Sequence, residues 1–366
     1  MSYPYRFYAV VIPGLEEVAA KELEALSAHE IQKESGGVHF SGTMDTMFRV
    51  NLRSRTVTRV LLRLKRFTAL SLNDIQKKVQ QVEWAQFLDG QGTLRVHVSC
   101  HSSKLMHTGK IENEIIEAVK KAGFPVGSSD IEQQVFIRIE NNRCLLSIDT
   151  SGERLDRRGY RLESGKAPIR ETLAAGVLEW MEWSSNEPLM VPMCGSGTFA
   201  IEAALIGQKQ ASGLTHEFPF LKWPQLKIKS WERLLKRAQA MKKDNVMPSI
   251  YASDINQDAI EISKRNAERA GAESLIRICK QDVLQLSCPD GLDSGLIICN
   301  PPYGRRIDAD VKKLYSALGR VFEREFKGWR MAIFSPDYHC EKALGLPVKD
   351  RLKIKHGGRH IDILHI

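Results

Sequence analysis

The sequence predicts an α/β protein whose second half folds as a doubly wound sheet. Four short apolar segments, the first beginning at residue 189 and the last at 296–299, are separated by stretches with helical periodicity. A glycine turn follows the first segment, and an acidic or amide side chain follows each of the others. Such alternation indicates a mostly parallel sheet, and these sheets bind ligands at the carboxyl ends of their strands.

Two smaller α/β units are predicted in front of this sheet. Residues 1–65 suggest strand, helix, strand, helix and strand, and residues 66–160 suggest a strand, a helix and two more strands. The segments that carry this prediction lie at 5–12, 16–26, 38–40, 45–54 and 56–67, then at 93–100, 109–121, 135–140 and 143–149. The predicted domains are therefore 1–65, 66–160 and 161–366.

The charge distribution favours a polyanionic partner. The chain carries 53 Lys and Arg against 44 Asp and Glu, a net charge of +9. Residues 46–73 contain seven cations and no acid, although a solvated strand edge gives the same pattern. Cations and helix N-termini bind phosphate groups. The candidate RNA-binding residues are Arg53, Arg55, Lys104, Lys110, Arg157 and Arg158.

Composition argues against several other classes of protein. No apolar run approaches the roughly 18 residues of a membrane span, and Pro4, Arg6, Glu16 and Glu17 do not suit a signal peptide. The seven cysteines form no C-x-x-C pair, so neither a disulfide framework nor a zinc site is predicted. We expect a cytoplasmic protein, monomeric, without a bound metal or a membrane contact.

The segment Leu189–Leu205 reads LMVPMCGSGTFAIEAAL and predicts a nucleotide-like cofactor site. A strand, a glycine turn and a helix N-terminus bring backbone N–H groups close to a ligand. The third glycine of a dinucleotide fingerprint is missing. Asp254, at the end of the second strand, is placed to accept ribose hydroxyls or to cap the following helix. Asp282, after the third strand, is placed to accept an adenine amino group.

The tetrapeptide Asn300-Pro301-Pro302-Tyr303 follows the fourth strand and presents acceptors with almost no donors. Proline has no N–H, so the backbone there offers carbonyl oxygens, and the Asn300 side chain adds another acceptor. A planar amine, such as the exocyclic NH2 of a nucleobase or a glutamine amide, needs this arrangement. Tyr303 could stack on the flat group. A Pro-Pro turn that ends a buried strand is the alternative interpretation of the motif alone.

The segments MCGSGT and NPPYG, in this order, resemble class I S-adenosylmethionine-dependent methyltransferases, and among them the guanine-N2 RNA methyltransferases with a THUMP domain. The resemblance covers nearly the whole chain. Residues 7–23 resemble that family's ferredoxin-like opening, 149–161 the end of its THUMP domain and 167–175 the lead-in to its cofactor site. Residues 212–224 resemble an insertion in the branch that modifies 23S ribosomal RNA and some tRNAs.

The resemblance implies a Rossmann-like class I methyltransferase domain, with a mixed doubly wound sheet, preceded by ferredoxin-like and THUMP modules. It implies catalysis by Asn300, Pro301, Pro302 and Tyr303. It implies that S-adenosylmethionine is bound by Pro192, Met193, Cys194, Gly195, Ser196, Gly197, Thr198, Asp254, Ile255, Asp282, Val283 and Asn300. Two positions depart from the family: Val191 replaces an Asp expected near the cofactor's amino group, and Asp156 replaces a common His.

The expected reaction is methyl transfer to the N2 amine of a guanosine in structured RNA, with 23S ribosomal RNA favoured by residues 212–224. A tRNA guanine-N2 methyltransferase, an adenine-N6 methyltransferase and a protein-glutamine methyltransferase remain alternatives, the last two with a similar Asn-Pro-Pro-aromatic loop. A non-catalytic RNA-binding or assembly factor is the alternative from another class of protein.

Overall fold

The computed structural model describes residues 3–89, 92–124, 132–163, 168–243, 249–302 and 309–366. The described chain is built on two sheets of seven strands each. Residues before 150 form the first sheet and residues after 188 form the second. The predicted order of α/β units along the chain is therefore observed.

The first sheet has the strand order β2-β3-β1-β4-β7-β6-β5. Its pairs are antiparallel except the parallel pair β5–β6. Its strands and the helices between them are β1 (Tyr5–Val11), α1 (Glu16–Ala25), β2 (His29–Glu34), β3 (Gly37–Gly42), α2 (Met44–Arg53), β4 (Val57–Thr68), α3 (Leu72–Gln80), β5 (Thr93–His101), α4 (Thr108–Lys121), β6 (Glu132–Glu140) and β7 (Arg143–Asp149).

The long strand β4 joins the two predicted N-terminal units into this one sheet. Its first half pairs with β1, with Leu62 opposite Phe7. The strand then pairs with β7 as far as Thr68, and its register shifts between Arg63 and Lys65. The boundary predicted after residue 65 therefore falls inside a strand that both units share.

The second sheet has the order β10-β9-β8-β11-β12-β14-β13. The first five strands in this order run parallel, and β14 runs antiparallel to both of its neighbours, β12 and β13, so the sheet is mixed as predicted. Its elements are α5 (Glu171–Trp180), β8 (Leu189–Pro192), α6 (Thr198–Gly207), α7 (Ile228–Ala240), β9 (Ile250–Asp254), α8 (Gln257–Arg269), β10 (Ile276–Lys280), β11 (Leu296–Cys299), α9 (Ala309–Glu325), β12 (Arg330–Ser335), α10 (Tyr338–Leu344), β13 (Asp350–His356) and β14 (Arg359–His365).

Helix α6 is buried on nearly all sides, and apart from Thr198 and Glu202 its residues are apolar or glycine. Nine of its ten residues are buried, which is expected for a helix packed between a sheet and a second helix. It contacts α5 on one side and strands β8, β9 and β10 on the other. Its first residue, Thr198, follows the glycine turn directly, so this packing fixes where the turn lies.

A buried charge cluster centred on α6 joins the two halves of the protein. The Glu202 side chain is fully buried and lies 3.1 Å from Arg158 Nε and 3.7 Å from Arg55 Nη1. The Tyr160 hydroxyl donates to Glu202 Oε1 at 2.9 Å. Arg158 also donates to the Arg55 carbonyl at 2.7 Å. The turn between α2 and β4, the connecting segment and the second half of the chain therefore meet at one carboxylate.

The segment 212–224 packs against the first half of the chain. The Ser212 hydroxyl donates to the Ser54 carbonyl at 2.6 Å, and the Trp223 indole donates to Gln133 Oε1 at 2.9 Å. At the other end of the interface, the Lys355 N–H donates to the Pro13 carbonyl at 3.0 Å. The insertion is thus a structural connection between the two sheets.

Candidate functional site

The four predicted motifs meet at one edge of the second sheet. Strands β10, β9, β8 and β11 are adjacent and parallel, so their carboxyl ends share this edge. The glycine turn follows β8, Asp254 ends β9, Asp282 follows β10 and Asn300 follows β11. The sequence prediction that these residues converge agrees with the topology.

The turn between β8 and α6 is built from backbone conformations that few residues adopt. Gly195 and Gly197 have φ values of +57° and +80°, and Met193 has a φ of +55°. A Cβ atom at Gly197 would overlap the Ser263 hydroxyl of α8. Glycine is therefore required at position 197 both for its φ angle and for the close approach of α8.

Asp254 holds this turn against the next strand. Its Oδ2 accepts from the Gly195 N–H at 3.0 Å, and its Oδ1 accepts from the Asn256 N–H at 3.0 Å. The cap of α8 is Asn256, whose side chain accepts from the Asp258 N–H, so Asp254 is not the helix cap. Each carboxylate oxygen has a second lone pair for a ligand hydroxyl, and the side chain is half-buried.

A cavity of about 130 Å³ lies where β8, the turn and β11 meet. Its described lining includes no charged side chain, and residues 192–196, with Thr198, contribute to it. The other lining residues are Pro168, Ile169, Val191, Phe199 and Asn300. The side chain of Val191 is buried, so it gives this wall an apolar surface where the resemblance implies a carboxylate.

Asn300 brings an unused acceptor into the cavity. Its Oδ1 atom is buried and has no hydrogen-bond partner within the described chain. A buried polar atom without a partner is costly, about 1–3 kcal/mol, so an acceptor of this kind is expected to bind a donor from a ligand. Pro301 is buried and Pro302 is exposed. Tyr303 lies outside the described residues.

Three further predicted cofactor residues lie at the edge of the site rather than in the cavity. Asp282 is half-buried and its Oδ1 accepts from the Leu284 N–H at 2.9 Å, so it caps a short turn. The Ile255 side chain is 60% exposed. Val283 is buried in a second apolar cluster with Met190 and Ile297, so its side chain supports the sheet and does not line this cavity.

Cys194 packs in the wall of the cavity. Burial, with a contribution from the nearby Asp254 carboxylate, raises the pKa of the Cys194 thiol to about 12. Its Sγ lies 3.9 Å from Ser263 Oγ. A thiol with this pKa is neutral at physiological pH and is not a nucleophile.

The six predicted RNA-binding residues fall into two groups. Lys104 and Lys110 are exposed near the start of α4, Arg157 is exposed beside Glu153, and Arg53 is half-buried. Arg55 and Arg158 are buried with Glu202, and Arg55 also donates to the carbonyls of Leu205 and Gln210. A surface contact with RNA does not fit these two buried positions, because their guanidinium groups serve the interface between the two halves.

Two site residues have no motif that points to them from the sequence. Asn266 of α8 donates to the Ser196 carbonyl at 3.1 Å and to the Glu163 carbonyl at 3.2 Å. Ser263, one turn earlier, contacts the glycine turn. Both are polar residues on the buried side of an amphipathic helix. A polar residue at a position where the helical pattern predicts burial is the sequence feature that could have identified them.

The described residues contain neither a cluster of metal-binding side chains nor a helix long and apolar enough to cross a membrane. All seven cysteines are free.

Three family models match consecutive parts of the chain. An RlmL ferredoxin-like domain matches residues 6–61, a THUMP domain matches 69–149, and the methyltransferase domain described as RMKL-like matches 158–363. The chain belongs to the RMKL-like methyltransferase family. The predicted methyltransferase fold, with ferredoxin-like and THUMP modules before it, is thereby confirmed.

Relatives within this family differ in length. The chain is 32% identical to a Synechocystis protein provisionally named RNA methyltransferase slr0064, with 96% of this chain and 94% of the relative covered. It is 31% identical to the ribosomal RNA large subunit methyltransferase K/L of Syntrophotalea carbinolica. That match covers all of this chain and 54% of the relative, so the chain spans about half of the K/L protein.

Solved structures share the whole architecture. SMU.472, provisionally named a methyltransferase and crystallised with SAH, is 28% identical with a TM-score of 0.93, and the match covers 100% of this chain and 98% of the other. A Listeria monocytogenes protein described as an N6-adenine-specific DNA methylase is 28% identical with a TM-score of 0.89, covering 99% and 95% of the two chains. TrmN from Thermus thermophilus, 19% identical with a TM-score of 0.74 and 99% and 98% covered, shares the fold.

Proposed function

We propose that the protein transfers a methyl group from S-adenosylmethionine to the exocyclic N2 amine of a guanosine in RNA, with 23S ribosomal RNA as the favoured substrate. The observation that carries the proposal is the buried Oδ1 of Asn300, which has no partner in the described chain and belongs to a residue that lines the cavity. An acceptor in that position suits an N–H donor from a planar amine.

The residues that line the cavity, together with those beside it at the same edge of the sheet, suit a sulfonium nucleoside. The residues proposed to hold it are those of the turn at 192–198, with Asp254 for the ribose and the segment Asp282–Val283 for the adenine; Ile255 lies next to Asp254 and Asn300 borders the donor. The half-buried Asp254 carboxylate keeps lone pairs for hydroxyl groups. S-adenosylmethionine supplies an electrophilic methyl group when bound, so the protein's task is positioning and the exclusion of water.

The chain's own residues orient the acceptor amine. Asn300 Oδ1 and the Pro301 carbonyl are proposed to accept the two amine N–H groups, which turns the nitrogen lone pair toward the methyl donor. Pro302 supplies no competing N–H. Tyr303 is proposed to stack on the base. The apolar walls formed by Val191, Ile169 and Phe199 keep the reacting atoms dry.

RNA as the substrate is supported by the THUMP module and by the names of two relatives, an RNA and a ribosomal RNA methyltransferase. Lys104, Lys110, Arg157 and Arg53 are the exposed or half-buried residues proposed to contact phosphate groups. An adenine-N6 acceptor is the second candidate, because its amine would use the same Asn300 acceptor and one relative is described as an N6-adenine-specific methylase.

The test uses the purified full chain, labelled S-adenosylmethionine and total RNA from a strain that lacks the gene. Digestion to nucleosides and mass spectrometry should detect labelled N2-methylguanosine in the large-subunit ribosomal RNA. Labelled N2-methylguanosine in tRNA would instead assign tRNA as the substrate. Labelled N6-methyladenosine would show that the acceptor base is adenine and not guanine. Absence of label from every RNA, with S-adenosylmethionine bound, would refute the proposed reaction.

A further inference from the structure

The first sheet has one face covered by helices and one face open. Along β6 the side chains of Val135, Ile137 and Ile139 are buried, whereas Phe136 between them is half-buried and Arg138 is exposed. Because side chains alternate along a strand, this pattern assigns Phe136 and Arg138 to the face away from the core. The open face therefore carries aromatic and cationic side chains.

Two cavities of about 570 Å³ and about 750 Å³ lie on this face. Both are lined by His39, Arg63, Arg66 and Leu145, so they form one continuous groove along β4. We name it the β4 groove and define it by the lining residues of these two cavities. It lies where β4 shifts register between Arg63 and Lys65, at the junction of the ferredoxin-like and THUMP modules.

Cations outnumber acids two to one in the β4 groove. Its acidic side chains are Glu30, Glu34 and Glu140. Its cationic side chains are Arg6, Arg63, Lys65, Arg66, Arg138 and Arg143. Arg138 is paired with Glu140 and Glu34, whereas Arg6, Arg66 and Arg143 are exposed and have no ion-pair partner among the described residues. The rim of the groove thus offers free positive charge to a polyanion.

The floor of the groove is less polar than its rim. The Arg63 guanidinium lies 4.4 Å from the centre of the Tyr8 ring and donates to Ser147 Oγ at 3.0 Å. Its Nε atom is buried and has no hydrogen-bond partner within the described chain. Leu145 and His39 are half-buried beside it. A flat guanidinium, an imidazole and an aliphatic side chain form a floor on which bases could rest.

We propose that the β4 groove binds a single-stranded segment of the RNA, with phosphates on the cationic rim and unpaired bases against the floor. The identification of the polyanion as RNA rests on the proposed function. A single strand fits better than a duplex, because a duplex keeps its bases stacked inside and presents phosphates only. The groove lies on the sheet face opposite the helices α1 and α2, whose other sides contact α5 and α7 of the methyltransferase half. It therefore anchors RNA away from the cofactor cavity.

The test compares two triple variants of the full chain by fluorescence anisotropy with a short labelled oligouridine. The groove variant replaces Arg6, Arg66 and Arg143 by Gln, and the control variant replaces Lys229, Arg233 and Lys236 on the exposed side of α7 by Gln. Both remove three exposed cations. The groove variant should bind oligouridine at least about tenfold more weakly than the wild type. The slope of log K against the logarithm of the salt concentration should become less steep by about 2, because each lost phosphate contact with a single strand removes about 0.7. The control variant should bind like the wild type.

Four results would overturn the proposal for the groove. The first three are equal affinity of the groove variant and the wild type, an equal loss in both triple variants, and equal binding of a duplex through the same three arginines. The fourth is binding of an acidic peptide in place of oligouridine, which would assign the groove to a protein partner. Methyl transfer by the wild type is measured separately. A wild type that binds oligouridine through the groove but methylates no RNA refutes the proposed reaction and leaves the groove standing.

Discussion

The Tyr160 hydroxyl donates a hydrogen bond to the fully buried Glu202 carboxylate, at 2.9 Å, from the segment that connects the two halves of the protein. Arg158, from the same segment, and Arg55, from the turn between α2 and β4, approach the same carboxylate. Two cations and one hydroxyl therefore depend on one acid at the interface, and α6, which carries the acid, begins at the glycine turn.

Replacing Glu202 by Gln is expected to destabilise the whole chain. The change leaves Arg55 and Arg158 buried without their counter-charge, and breaking a buried pair costs about 3–5 kcal/mol. Chemical denaturation should show this loss. Glu153→Gln, which removes an exposed acid paired with Arg157, is the control and should change the free energy of unfolding by less than about 1 kcal/mol. Similar values for the two variants would contradict a structural role for the cluster.

Replacing Asn300 by Ala is expected to abolish methyl transfer while leaving binding of S-adenosylmethionine nearly intact. The variant removes the buried acceptor proposed to orient the amine, and loss of one such oriented group costs about 10²–10³ in turnover. Radiometric transfer and calorimetry measure the two quantities. Asn73→Ala, at an exposed position of α3, should change neither. An equal loss of methyl transfer and of S-adenosylmethionine binding would show that Asn300 does not act by orienting the acceptor amine.

Replacing Asp254 by Asn is expected to weaken donor binding by roughly tenfold to a hundredfold, because a hydrogen bond to a charged group contributes about 1.5–3 kcal/mol. The amide nitrogen cannot accept, so one of the two N–H groups that Asp254 binds, of Gly195 or of Asn256, also loses its acceptor. Calorimetric titration with S-adenosylmethionine measures the effect. Asp258→Asn removes the same charge from an exposed position on α8; affinities that fall equally in both variants would indicate a long-range charge effect instead.

Replacing Gly197 by Ala is expected to destabilise the protein, because the new methyl group overlaps Ser263 Oγ and the residue has a φ of +80°. Backbone strain of this kind costs about 1–3 kcal/mol before the overlap is added. The second substitution Ser263→Ala should restore part of the loss in thermal denaturation. Gly195→Ala meets no atom within 4 Å and should show the backbone cost alone. Strictly additive effects of Gly197→Ala and Ser263→Ala would disprove the overlap.

Glu171, at the start of α5, is expected to make stability fall as the pH rises. Burial raises the pKa of Glu171 to about 7 from its ordinary 4.5, against the opposing effect of Arg161. Between these pH values the folded state binds more protons than the unfolded state, so the free energy of unfolding decreases with rising pH, by on the order of 3 kcal/mol at most. Burial also raises the pKa of Asp149 to about 6 and that of Glu179 to about 8. These two shifts likewise lower the free energy of unfolding as the pH rises.

Denaturation between pH 5 and pH 8 measures this dependence. The Glu171→Gln variant, which cannot ionise, should lose less stability across this range than the wild type. Identical pH profiles of the variant and the wild type would show that Glu171 keeps its ordinary pKa.

Much of the second half could be predicted from the sequence because the central strands of its sheet are largely buried. Residues 189–192, 250–254 and 296–299 are short, mainly apolar segments that end in recognisable motifs, and their adjacency follows from the fold class. Residues 276–280 form an edge strand that is more exposed and carries Arg277 and Lys280. The sequence missed β2, whose segment HEIQKE has Ile31 among polar residues because it is an exposed edge strand. It also missed α3, which buries only Ile75 and Val79.

The burial of Arg55 and Arg158 could not be predicted, for a physical reason. A basic segment in a sequence does not reveal whether its cations face water or a buried acid, and the acid that pairs with Arg55 lies at position 202, on a mostly apolar helix. For the same reason the environment of residues 212–224 could not be predicted from sequence. Trp223 of this segment is buried and anchors it, and none of its residues lines the described part of the cavity beside the glycine turn.

The hydrogen bond from the Lys355 N–H to the Pro13 carbonyl connects the turn after β1 to the hairpin β13–β14. Translation proceeds from the amino terminus, and domains generally fold as they emerge. The ferredoxin-like module must therefore leave the ribosome with this part of its surface bare. The contact can form only after the hairpin β13–β14 has been synthesised, more than 300 residues after Pro13, so the two sheets close on each other late in synthesis.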